Sequence, residues 1–300
     1  MNQPAPPYRG RFAPSPTGPL HFGSLVTALA SYLDAKANNG KWLVRIEDID
    51  PPRARPGADK QILEALATHG LTWDDDLLYQ STRYPAYRRA IEVFFDTGFA
   101  YYCDCSRQQL QGSPVYPGTC RERSDTIPGE CAVRIRVQDA KIRFQDQIQG
   151  PQSVNLAQEV GDFVIYRKDG LYAYQLATAL DDAFQQINKV VRGYDLLDST
   201  CRQLYLLQLL RCQPPDYCHI PVIVNQQGQK LSKQNLAQPL IAKHNRRNLY
   251  NALIALGQQP DTALIDASVE DILIWSVKHW NIQNVPRTVE IPYDAILQKR

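Results

Sequence analysis

The chain has 300 residues, of which 44% are apolar and 21% are charged, which is close to average globular usage. This composition excludes an intrinsically disordered, a collagen-like or a coiled-coil protein, and the length allows one large domain or two modest ones. The 33 basic and 31 acidic residues give a formal charge of +2. A globally basic nucleic-acid coat is therefore excluded, and any contact with RNA must come from local patches.

The cysteines and the N-terminal sequence indicate a compartment. An odd number of cysteines, seven, is not typical of a disulfide scaffold, especially in a chain of this length. The start MNQPAPPYRG lacks the order of a signal peptide, and no apolar run approaches the roughly 18 residues that span a bilayer. We therefore expect a soluble protein of the reducing cytoplasm.

The first 50 residues predict a βαβ unit. Residues 8–13 have the pattern of a short strand, and the stretch 14–23, rich in proline and glycine, predicts a loop. Apolar residues then recur with helical spacing until Asn39-Gly40 ends the helix, and residues 41–50 predict a second strand. A right-handed crossover and a ligand site beyond the strand ends are typical of such units.

The rest of the chain predicts further helices and strands. Helices are expected at 59–70, 84–97, 175–184 and 198–211, strands at 187–193 and 220–225, and a hairpin with an Asp169-Gly170 turn at 163–174. We divide the chain into 1–98 and 161–235 as the two halves of one domain, 99–160 as an insertion with cysteines and short strands, and 236–300 as a mostly helical C-terminal extension.

The loop and helix start after the first strand form one candidate site. The sequence RFAPSPTG begins at Arg11, and LHFG follows, so that His21 and Gly23 stand at a helix N-terminus directly after a strand. Backbone N–H groups and the helix dipole at such a position favour phosphate, and the imidazole can donate to a phosphate oxygen. The motif by itself fits an ordinary connection with a capping histidine equally well.

Two further stretches carry charged side chains. Glu47, Asp48 and Asp50 follow the second strand, where carboxylates suit an ammonium group or a metal; a solvated acidic turn is the alternative. Lys230 and Lys233 of KLSKQ lie three residues apart with a serine between them. Two such lysines can clamp a polyphosphate, although the pattern is also common on protein surfaces.

Taken together, RFAPSPTG, LHFG, RIED and KLSKQ resemble the class I aminoacyl-tRNA synthetases of the glutamyl group. LHFG stands for the family's His-x-Gly-His signature and KLSKQ for its Lys-Met-Ser-Lys-Ser loop. The resemblance covers roughly residues 8–235 and implies an α/β fold: a Rossmann-like class I synthetase catalytic domain with a small zinc-bearing insertion and a short helical C-terminal extension. Ser24, Leu231 and Gln234 depart from the signatures, the first by replacing the second imidazole.

The length after KLSKQ separates branches of this family. About 65 residues follow it, and YPGTCR, DGLYAYQLATALDDA and VVRGYDLLDST are similar to a truncated branch without a large anticodon-binding region. The resemblance implies a monomeric ligase that activates L-glutamate with ATP, without needing tRNA, as the glutamyl-adenylate. It then esterifies glutamate onto the cyclopentenediol of queuosine in the anticodon of tRNA(Asp). The alternatives are ordinary charging of a tRNA 3′ end and a catalytically inactive, zinc-containing tRNA-binding paralogue.

The resemblance also implies roles for individual residues. The glutamate-binding residues are Arg11, Phe12, Ala13, Pro14, Ser15, Glu47, Tyr174 and Arg192; the ATP-binding residues are His21, Gly23, Lys230, Ser232 and Lys233. His21 and Lys233 are the catalytic candidates, with Mg²⁺ accompanying ATP, because alignment and charge neutralisation at the α-phosphate dominate this chemistry. Without the family, Arg192 fits a structural ion pair and Tyr174 a core aromatic residue.

Three cysteines within 18 residues, Cys103, Cys105 and Cys120, predict a metal site, because thiolates are strong zinc ligands. A tetrahedral site needs a fourth ligand, and the resemblance implies Tyr116 and one structural zinc per chain. Cys131 is the competing fourth ligand, and unmetallated cysteines in a loop are the alternative. The other thiols, Cys201, Cys212 and Cys218, are expected in the core.

A basic cluster lies in the C-terminal extension. Lys243, His244, Arg246 and Arg247 stand within five residues, and the lysine and arginines are candidates for holding the phosphates of an anticodon stem-loop. A solvated helix face is the alternative.

Overall fold

The computed structural model describes residues 6–123, 131–231 and 238–297. The predicted βαβ unit is confirmed: β1 (Arg9–Phe12) and β2 (Lys41–Ile46) pair in parallel, and α1 (Phe22–Ala37) connects them. The helix stops where the sequence predicts, because Asn39 adopts a left-handed φ of 53°. Gly40 follows against the Tyr8 ring, where an added Cβ would lie 2.5 Å from a Tyr8 side-chain carbon.

The remaining helices and strands follow in chain order. The next elements are α2 (Ala58–Thr68), β3 (Leu78–Tyr79), α3 (Tyr84–Asp96), β4 (Ala100–Cys103), β5 (Ala132–Ile135), β6 (Lys141–Asp146), β7 (Gly150–Asn155), α4 (Leu156–Glu159) and β8 (Phe163–Tyr166). They are followed by α5 (Tyr174–Phe184), β9 (Lys189–Gly193), α6 (Leu197–Leu209), β10 (Asp216–Ile220), β11 (Val222–Val224), α7 (Asn245–Ala255), α8 (Val269–His279), β12 (Glu290–Pro292) and α9 (Tyr293–Leu297).

Two sheets meet at the strands β1 and β9. One has the order β1-β2-β3 and the other the order β7-β6-β10-β9, and the pairs β1–β2, β2–β3, β6–β10 and β9–β10 are parallel. The Asn188 N–H, just before β9, donates to the Arg9 carbonyl of β1 at 3.1 Å. The chain order thus changes direction between β1 and β9, and in α/β sheets ligands bind beyond the carboxyl ends of the strands at such a point.

The region 99–160 contributes to both a small sheet and the parallel one. Its strands β4 and β5 form an antiparallel sheet with β8, whereas β6 pairs with β10 and β7 pairs with β6. The described residues of this region therefore include two strands that continue the sheet of β9 and β10. The division of the chain into domains stays a prediction.

The predicted hairpin over 163–174 is only half formed. β8 ends at Tyr166, and Gly170 makes the turn with a left-handed φ of 81°. The predicted return strand is wrong, because only Tyr172 makes an antiparallel bridge, to Tyr166, before α5 begins. Two backbone hydrogen bonds support this bridge, from the Arg167 N–H to the Leu171 carbonyl at 2.8 Å and from the Ala173 N–H to the Ile165 carbonyl at 3.0 Å. The Tyr172 ring also packs within 5.3 Å, centroid to centroid, of the rings of Tyr84 and Tyr87.

The single strand predicted at 220–225 is wrong, because these residues contain the end of β10 and the whole of β11. β10 starts earlier and pairs with β9, whereas β11 pairs with β12 of the C-terminal extension. Pro221 separates them, since proline offers no N–H to a sheet ladder. The sequence does not predict the early part of β10, because Tyr217, Cys218 and His219 are all buried and no apolar–polar alternation marks a strand that is covered on both faces.

The C-terminal extension packs against the first helix. Its described elements are mainly helical, as predicted, with the short strand β12 added. Leu249 and Leu253 of α7 share a fully buried core with Leu29 of α1. The buried carboxylate of Asp34 in α1 accepts from the Trp280 indole N–H at 2.9 Å. Within the described residues, no helix is long and apolar enough to cross a membrane.

Candidate active site

A cleft of about 590 Å³ opens at the carboxyl ends of β1 and β9. Its lining includes many residues that the sequence predicted for the site: Arg11, Phe12, Ala13, Pro14, Ser15, His21, Gly23, Tyr174, Arg192 and Lys230. Glu47 is buried nearby, next to Thr178 of α5, whose hydroxyl donates to its carboxylate at 3.2 Å. Ser232 and Lys233 lie outside the described residues. The cleft thus brings together residues that are far apart in the chain, such as Arg11 and Lys230, which are separated by 219 positions.

His21 caps the helix that points its N-terminus at the cleft. Its Nδ1 accepts from the Ser24 backbone N–H at 3.2 Å, and its Nε2 lies 2.9 Å from the Ser24 hydroxyl oxygen. His21 therefore both caps the helix and lines the cleft, so the two interpretations that the sequence offers as alternatives do not exclude each other. A Cβ at Gly23 would lie 3.3 Å from the His21 ring and 3.5 Å from the Leu231 carbonyl oxygen, so glycine permits this close packing.

Arg11 is bound to a carboxylate of the protein itself. Its Nε and Nη2 donate to the two oxygens of Asp182 at 3.1 and 3.3 Å. Arg45 donates to the same carboxylate at 2.8 Å and to Glu47 at 3.2 Å. Burial alone would raise the pKa of Asp182, but Arg11 and Arg45 lower it below its usual range. The pair holds the Arg11 guanidinium in one orientation at the cleft wall.

The acidic residues after β2 do not converge on one point. Glu47 is buried beside Arg45, the Asp48 carboxylate accepts from the Ser81 N–H at 2.8 Å, and Asp50 pairs with Arg53 at 2.6 Å. The three carboxylates have separate partners, and Glu47 is buried, so a solvated acidic turn does not describe it. The role of Glu47 toward an ammonium group stays a prediction. Burial raises the pKa of Glu47 above its ordinary value, although the charge on Arg45 opposes this.

Arg192 has a different environment from Arg11, because its partners are neutral. Its four hydrogen bonds go to His219 Nε2 at 2.9 Å, the Gln203 side-chain oxygen at 2.8 Å, the Thr200 hydroxyl at 2.8 Å and the Leu196 carbonyl at 3.2 Å. Among the described residues, no carboxylate lies within 4.0 Å of this guanidinium, so it does not form the structural ion pair. Only 3% of Arg192 is exposed, and it lines the cleft.

Tyr174 begins α5 and lines the same cleft. It is partly buried, which raises the pKa of its hydroxyl, and the charge on Glu47 raises it further. The phenol therefore stays protonated at neutral pH and can donate a hydrogen bond.

The start of the KLSKQ loop lies across the cleft from α1. The Leu231 N–H donates to the Ile223 carbonyl of β11 at 2.7 Å, which anchors the loop to the strand. The Lys230 ammonium pairs with Asp195 at 2.5 Å, next to the strand end that carries Arg192. The first lysine of the loop is thus held at the wall of the cleft.

The three predicted metal-binding cysteines form one cluster. The sulfur atoms of Cys103, Cys105 and Cys120 all lie within 4.8 Å of one another. The Tyr116 hydroxyl oxygen lies 3.4 Å from the Cys103 sulfur and 3.6 Å from the Cys105 sulfur. In the part of the chain that the structure describes, Cys131 is not a member of this cluster.

This arrangement fits a tetrahedral metal. A zinc ion with Zn–S bonds of about 2.3 Å separates its sulfur ligands by about 3.8 Å and leaves room for one oxygen at a similar separation. The Cys105 and Cys120 sulfurs are 3.5 Å apart. Arg134 adds a hydrogen bond to the Cys103 sulfur at 3.2 Å, and its guanidinium stacks 3.8 Å from the Tyr116 ring centre. The cluster could therefore hold a metal ion.

The remaining predicted cysteines lie elsewhere. Cys201 and Cys218 are buried, as expected for core residues, whereas Cys212 is only partly buried. The basic residues Lys243, His244, Arg246 and Arg247 are exposed at the start of α7.

Several residues of the site were not predicted. Arg45 and Asp182 could have been found, because they stand inside RIED and LATALDDA, two of the recognised stretches. Asp146 and His219 carry no such signal: they are 73 residues apart, and only the pairing of their strands brings them to Arg192.

Comparison with known proteins shows the family to which the chain belongs. The family model of tRNA synthetases class I (E and Q), catalytic domain, matches residues 8–261. The chain therefore belongs to the class I aminoacyl-tRNA synthetase family, and the prediction of a ligase of this family is confirmed. A Glutamyl-Q tRNA(Asp) synthetase of Pseudomonas aeruginosa is 51% identical over 290 residues, which covers 96% of this chain and 99% of the relative. One of Pseudomonas entomophila is 51% identical and covers 95% and 97%.

Solved structures give the same fold. A glutamate tRNA ligase from Elizabethkingia meningosepticum, in complex with its amino acid, has a TM-score of 0.79 at 26% identity and covers 95% of this chain and 67% of that chain. The glutamate-tRNA synthetase from Elizabethkingia anophelis has the same TM-score and identity and covers 98% and 70%. The predicted class I catalytic fold is confirmed.

Proposed function

We propose that this chain activates glutamate with ATP and transfers it to the queuosine cyclopentenediol in the anticodon of tRNA(Asp). The observation that carries the choice of glutamate is the buried guanidinium of Arg192, which lines the cleft and has only neutral partners among the described residues. Near full-length similarity to Glutamyl-Q tRNA(Asp) synthetases supports the choice of acceptor.

In this proposal the side-chain carboxylate of glutamate binds Arg192 and the Tyr174 hydroxyl. A guanidinium that lacks an internal carboxylate gains most from an anionic ligand, because its charge is otherwise uncompensated in a desolvated site. Arg11, held by Asp182, forms the adjoining wall with Phe12, Ala13 and Pro14, and Ser15 and Glu47 accept from the ammonium. The α-carboxylate then faces the ATP-binding side of the cleft.

ATP is proposed to bind between the N-terminus of α1 and the KLSKQ loop. The helix end and Gly23 let the phosphates approach backbone N–H groups, and His21 donates to a phosphate oxygen. Lys230 and Lys233, with the Ser232 hydroxyl and Mg²⁺, supply the charge that stabilises the transition state at the α-phosphate. No acid–base group is required, since the substrate carboxylate is already a nucleophile.

The proposed metal is one structural zinc ion, held by Cys103, Cys105, Cys120 and Tyr116. The sulfur and oxygen separations support this ligand set over one that includes Cys131. Burial raises the pKa of Tyr116, and hydrogen bonds to Cys103 and Cys120 raise it further. Coordination therefore requires the zinc charge to favour the phenolate, as zinc also does for thiols.

The remaining partners follow from the proposed reaction. We place the protein in the cytoplasm, because ATP and tRNA are cytoplasmic substrates. We further propose that it acts as a monomer. The exposed cations Lys243, Arg246 and Arg247 are the proposed contacts for anticodon stem-loop phosphates. They follow Leu240 closely in the sequence, and the Leu240 N–H donates to the Leu20 carbonyl at 2.9 Å, next to His21. The three cations therefore lie near the cleft.

Pyrophosphate exchange tests the choice of amino acid. Glutamate should support ATP–pyrophosphate exchange without tRNA, and glutamine should support it at least about a hundredfold less well, because a neutral amide leaves the Arg192 charge uncompensated. Equal exchange rates with the two amino acids would contradict the proposed pocket.

Glutamate transfer tests the acceptor. Radiolabelled glutamate should enter tRNA(Asp) that carries queuosine, and its isolated anticodon stem-loop, but not tRNA(Asp) that lacks queuosine. tRNA(Asp) that carries queuosine but lacks its 3′-terminal adenosine gives the control, since it keeps the queuosine diol and cannot be charged at the 3′ end. Efficient charging of an unmodified tRNA(Glu) 3′ end would replace the proposal with ordinary aminoacylation.

A further inference from the structure

Three buried side chains form a line that ends at Arg192. The Asp146 carboxylate lies 2.6 Å from His219 Nδ1, and His219 Nε2 lies 2.9 Å from Arg192 Nε. Asp146 and His219 have no exposed surface, and Arg192 is 3% exposed. The three residues come from three neighbouring parallel strands, β6, β10 and β9, and His219 is the direct register partner of Arg192.

The donors and acceptors of this line leave one protonation state for the imidazole. An ionised carboxylate only accepts hydrogen bonds and a guanidinium only donates them. His219 must therefore offer an N–H at Nδ1 to Asp146 and a lone pair at Nε2 to Arg192. An N–H at Nε2 would instead point at the Arg192 N–H at hydrogen-bond distance. This excludes both the imidazolium, which is protonated at both nitrogens, and the neutral tautomer that is protonated at Nε2.

Asp146 is itself held in place by the backbone. Its carboxylate accepts from the N–H groups of Ile148 at 3.0 Å, Gln149 at 2.9 Å and His219 at 3.2 Å. Burial would raise the pKa of Asp146, but these bonds and the one to the imidazole lower it below its usual value. The far end of the line is thus an ionised carboxylate in one orientation.

The line also decides which donors Arg192 keeps for a ligand. Nε is used by His219, Nη1 donates once to Gln203, and Nη2 donates to both Leu196 and Thr200. A guanidinium has five N–H groups, so one at Nη1 has no acceptor among the described residues. A carboxylate placed directly on Nε would compete with an anionic ligand for the guanidinium charge, whereas a neutral imidazole orients Arg192 and leaves its charge available.

We propose that Asp146 and His219 are positioning residues that fix Arg192 for the side-chain carboxylate of the amino-acid substrate, and so set the preference for glutamate over glutamine. This inference rests on the assignment of Arg192 to glutamate in the proposed function. Arg192 binds the substrate side chain in the ground state and in the transition state alike. Loss of its positioning should therefore change the KM for glutamate and the preference for glutamate over glutamine more than kcat.

Kinetics of three variants test the role. His219→Leu should raise the KM for glutamate in ATP–pyrophosphate exchange by about tenfold or more and lower the preference over glutamine, with the KM for ATP unchanged. His219→Gln should restore the glutamate KM to within about threefold of wild type, since its amide can donate to Asp146 and accept from Arg192. His69→Leu is the matched control: His69 is another fully buried, hydrogen-bonded histidine, whose partners Ala65 and Asn248 lie outside the cleft lining.

Nuclear magnetic resonance gives a second measurement, made on the wild-type protein and independent of kinetics. Spectra of ¹⁵N-histidine-labelled wild-type protein should show one imidazole with a protonated Nδ1 and an unprotonated Nε2, assigned to His219 by its absence in His219→Gln. A protonated Nε2, or a His219→Leu enzyme with wild-type KM and selectivity, would overturn the inference. Wild-type protein without glutamate-dependent exchange would instead contradict the proposed function, while the nitrogen spectrum would still report the state of His219.

Discussion

The Asp182 carboxylate joins two arginines that approach it from adjacent strands. Arg11 comes from β1 and Arg45 from β2, and the side chains of Arg11 and Asp182 are only 4% and 3% exposed, while Arg45 is fully buried. One carboxylate on α5 therefore ties the two strands of the βαβ unit to the second half of the catalytic fold. Because it also orients Arg11 at the cleft wall, this contact links stability to the site.

The first prediction concerns stability. Asp182→Asn leaves two buried guanidinium groups facing the remaining carboxylate of Glu47, and breaking such buried ion pairs costs about 3–5 kcal/mol. We expect a loss of that size in the free energy of unfolding, measured by urea denaturation. Asp75→Asn is the control, because Asp75 pairs with Arg9 and Lys41 at a more exposed position where such pairs contribute about 1 kcal/mol or less. Equal losses in the two variants would contradict the prediction.

The pKa of Asp182 gives this effect a pH dependence. Arg11 and Arg45 hold the folded-state pKa below the unfolded value of about 3.9, although burial opposes them. The stabilisation by Asp182 is thus fully present above the unfolded pKa and is lost as pH falls through the folded one. The difference in unfolding free energy between wild type and Asp182→Asn should stay constant from pH 7 to about 5 and shrink below about pH 4. A difference that grows on acidification would contradict this sign.

The third prediction concerns Lys233 of the KLSKQ loop. Its charge should stabilise the transition state more than the bound substrates, so Lys233→Ala should lower kcat for ATP–pyrophosphate exchange by well over tenfold with a smaller change in KM. Lys60→Ala, at an exposed position of α2, is the control and should leave both constants unchanged. An unchanged kcat in Lys233→Ala would show that the loop lysine is not catalytic.

The fourth prediction concerns the metal. Elemental analysis should find about one zinc per chain, and Cys103→Ser should lower the zinc content and the stability of the 99–123 segment. Tyr116→Phe should weaken zinc binding in a chelator competition, whereas Cys131→Ser should not, since Cys131 stands apart from the sulfur cluster. Full zinc occupancy in Tyr116→Phe together with loss in Cys131→Ser would reverse the assignment of the fourth ligand.

The fifth prediction separates RNA binding from activation. Lys243→Ala combined with Arg247→Ala should raise the KM for tRNA in glutamate transfer several-fold and flatten its dependence on salt, because two phosphate contacts are lost. Glutamate activation without tRNA should be unchanged in this variant. Arg246 is left in place, because its guanidinium donates to the Asp266 carbonyl at 3.0 Å and supports the fold. A transfer KM equal to that of wild type would assign these cations to a solvated helix face.

The amino-acid sequence predicts most of the catalytic fold and the cleft lining, for physical reasons that differ between elements. The strands and helix of the βαβ unit have clear periodicity and clear stop signals at Asn39-Gly40. By contrast, β10 is buried on both faces, so its pattern resembles no alternating strand, and its start was missed. The return strand at Tyr172 is shorter than predicted for another reason, since α5 begins at Tyr174 and pairing stops after the Tyr166–Tyr172 bridge.

The candidate site shows the same division between local and long-range information. Residues such as His21 and Arg11 belong to contiguous motifs, and the sequence alone identifies them. What Arg11 contacts could not be read in this way, because Asp182 is 171 residues away and pairs with it only through the packing of α5. The contrast between Arg11, which has a carboxylate partner, and Arg192, which has neutral ones, is therefore a property of the fold.

The contact between His21 and Pro239 has a mechanical consequence. These two residues form an antiparallel bridge, and the neighbouring Leu240 N–H bonds to Leu20, so the chain returns to the start of α1 after it has built the whole catalytic sheet. The C-terminal extension is thus clamped to the same turn that carries the imidazole. A shift of the extension at Pro239 or Leu240 would therefore act directly on the N-terminus of α1, where His21 lies.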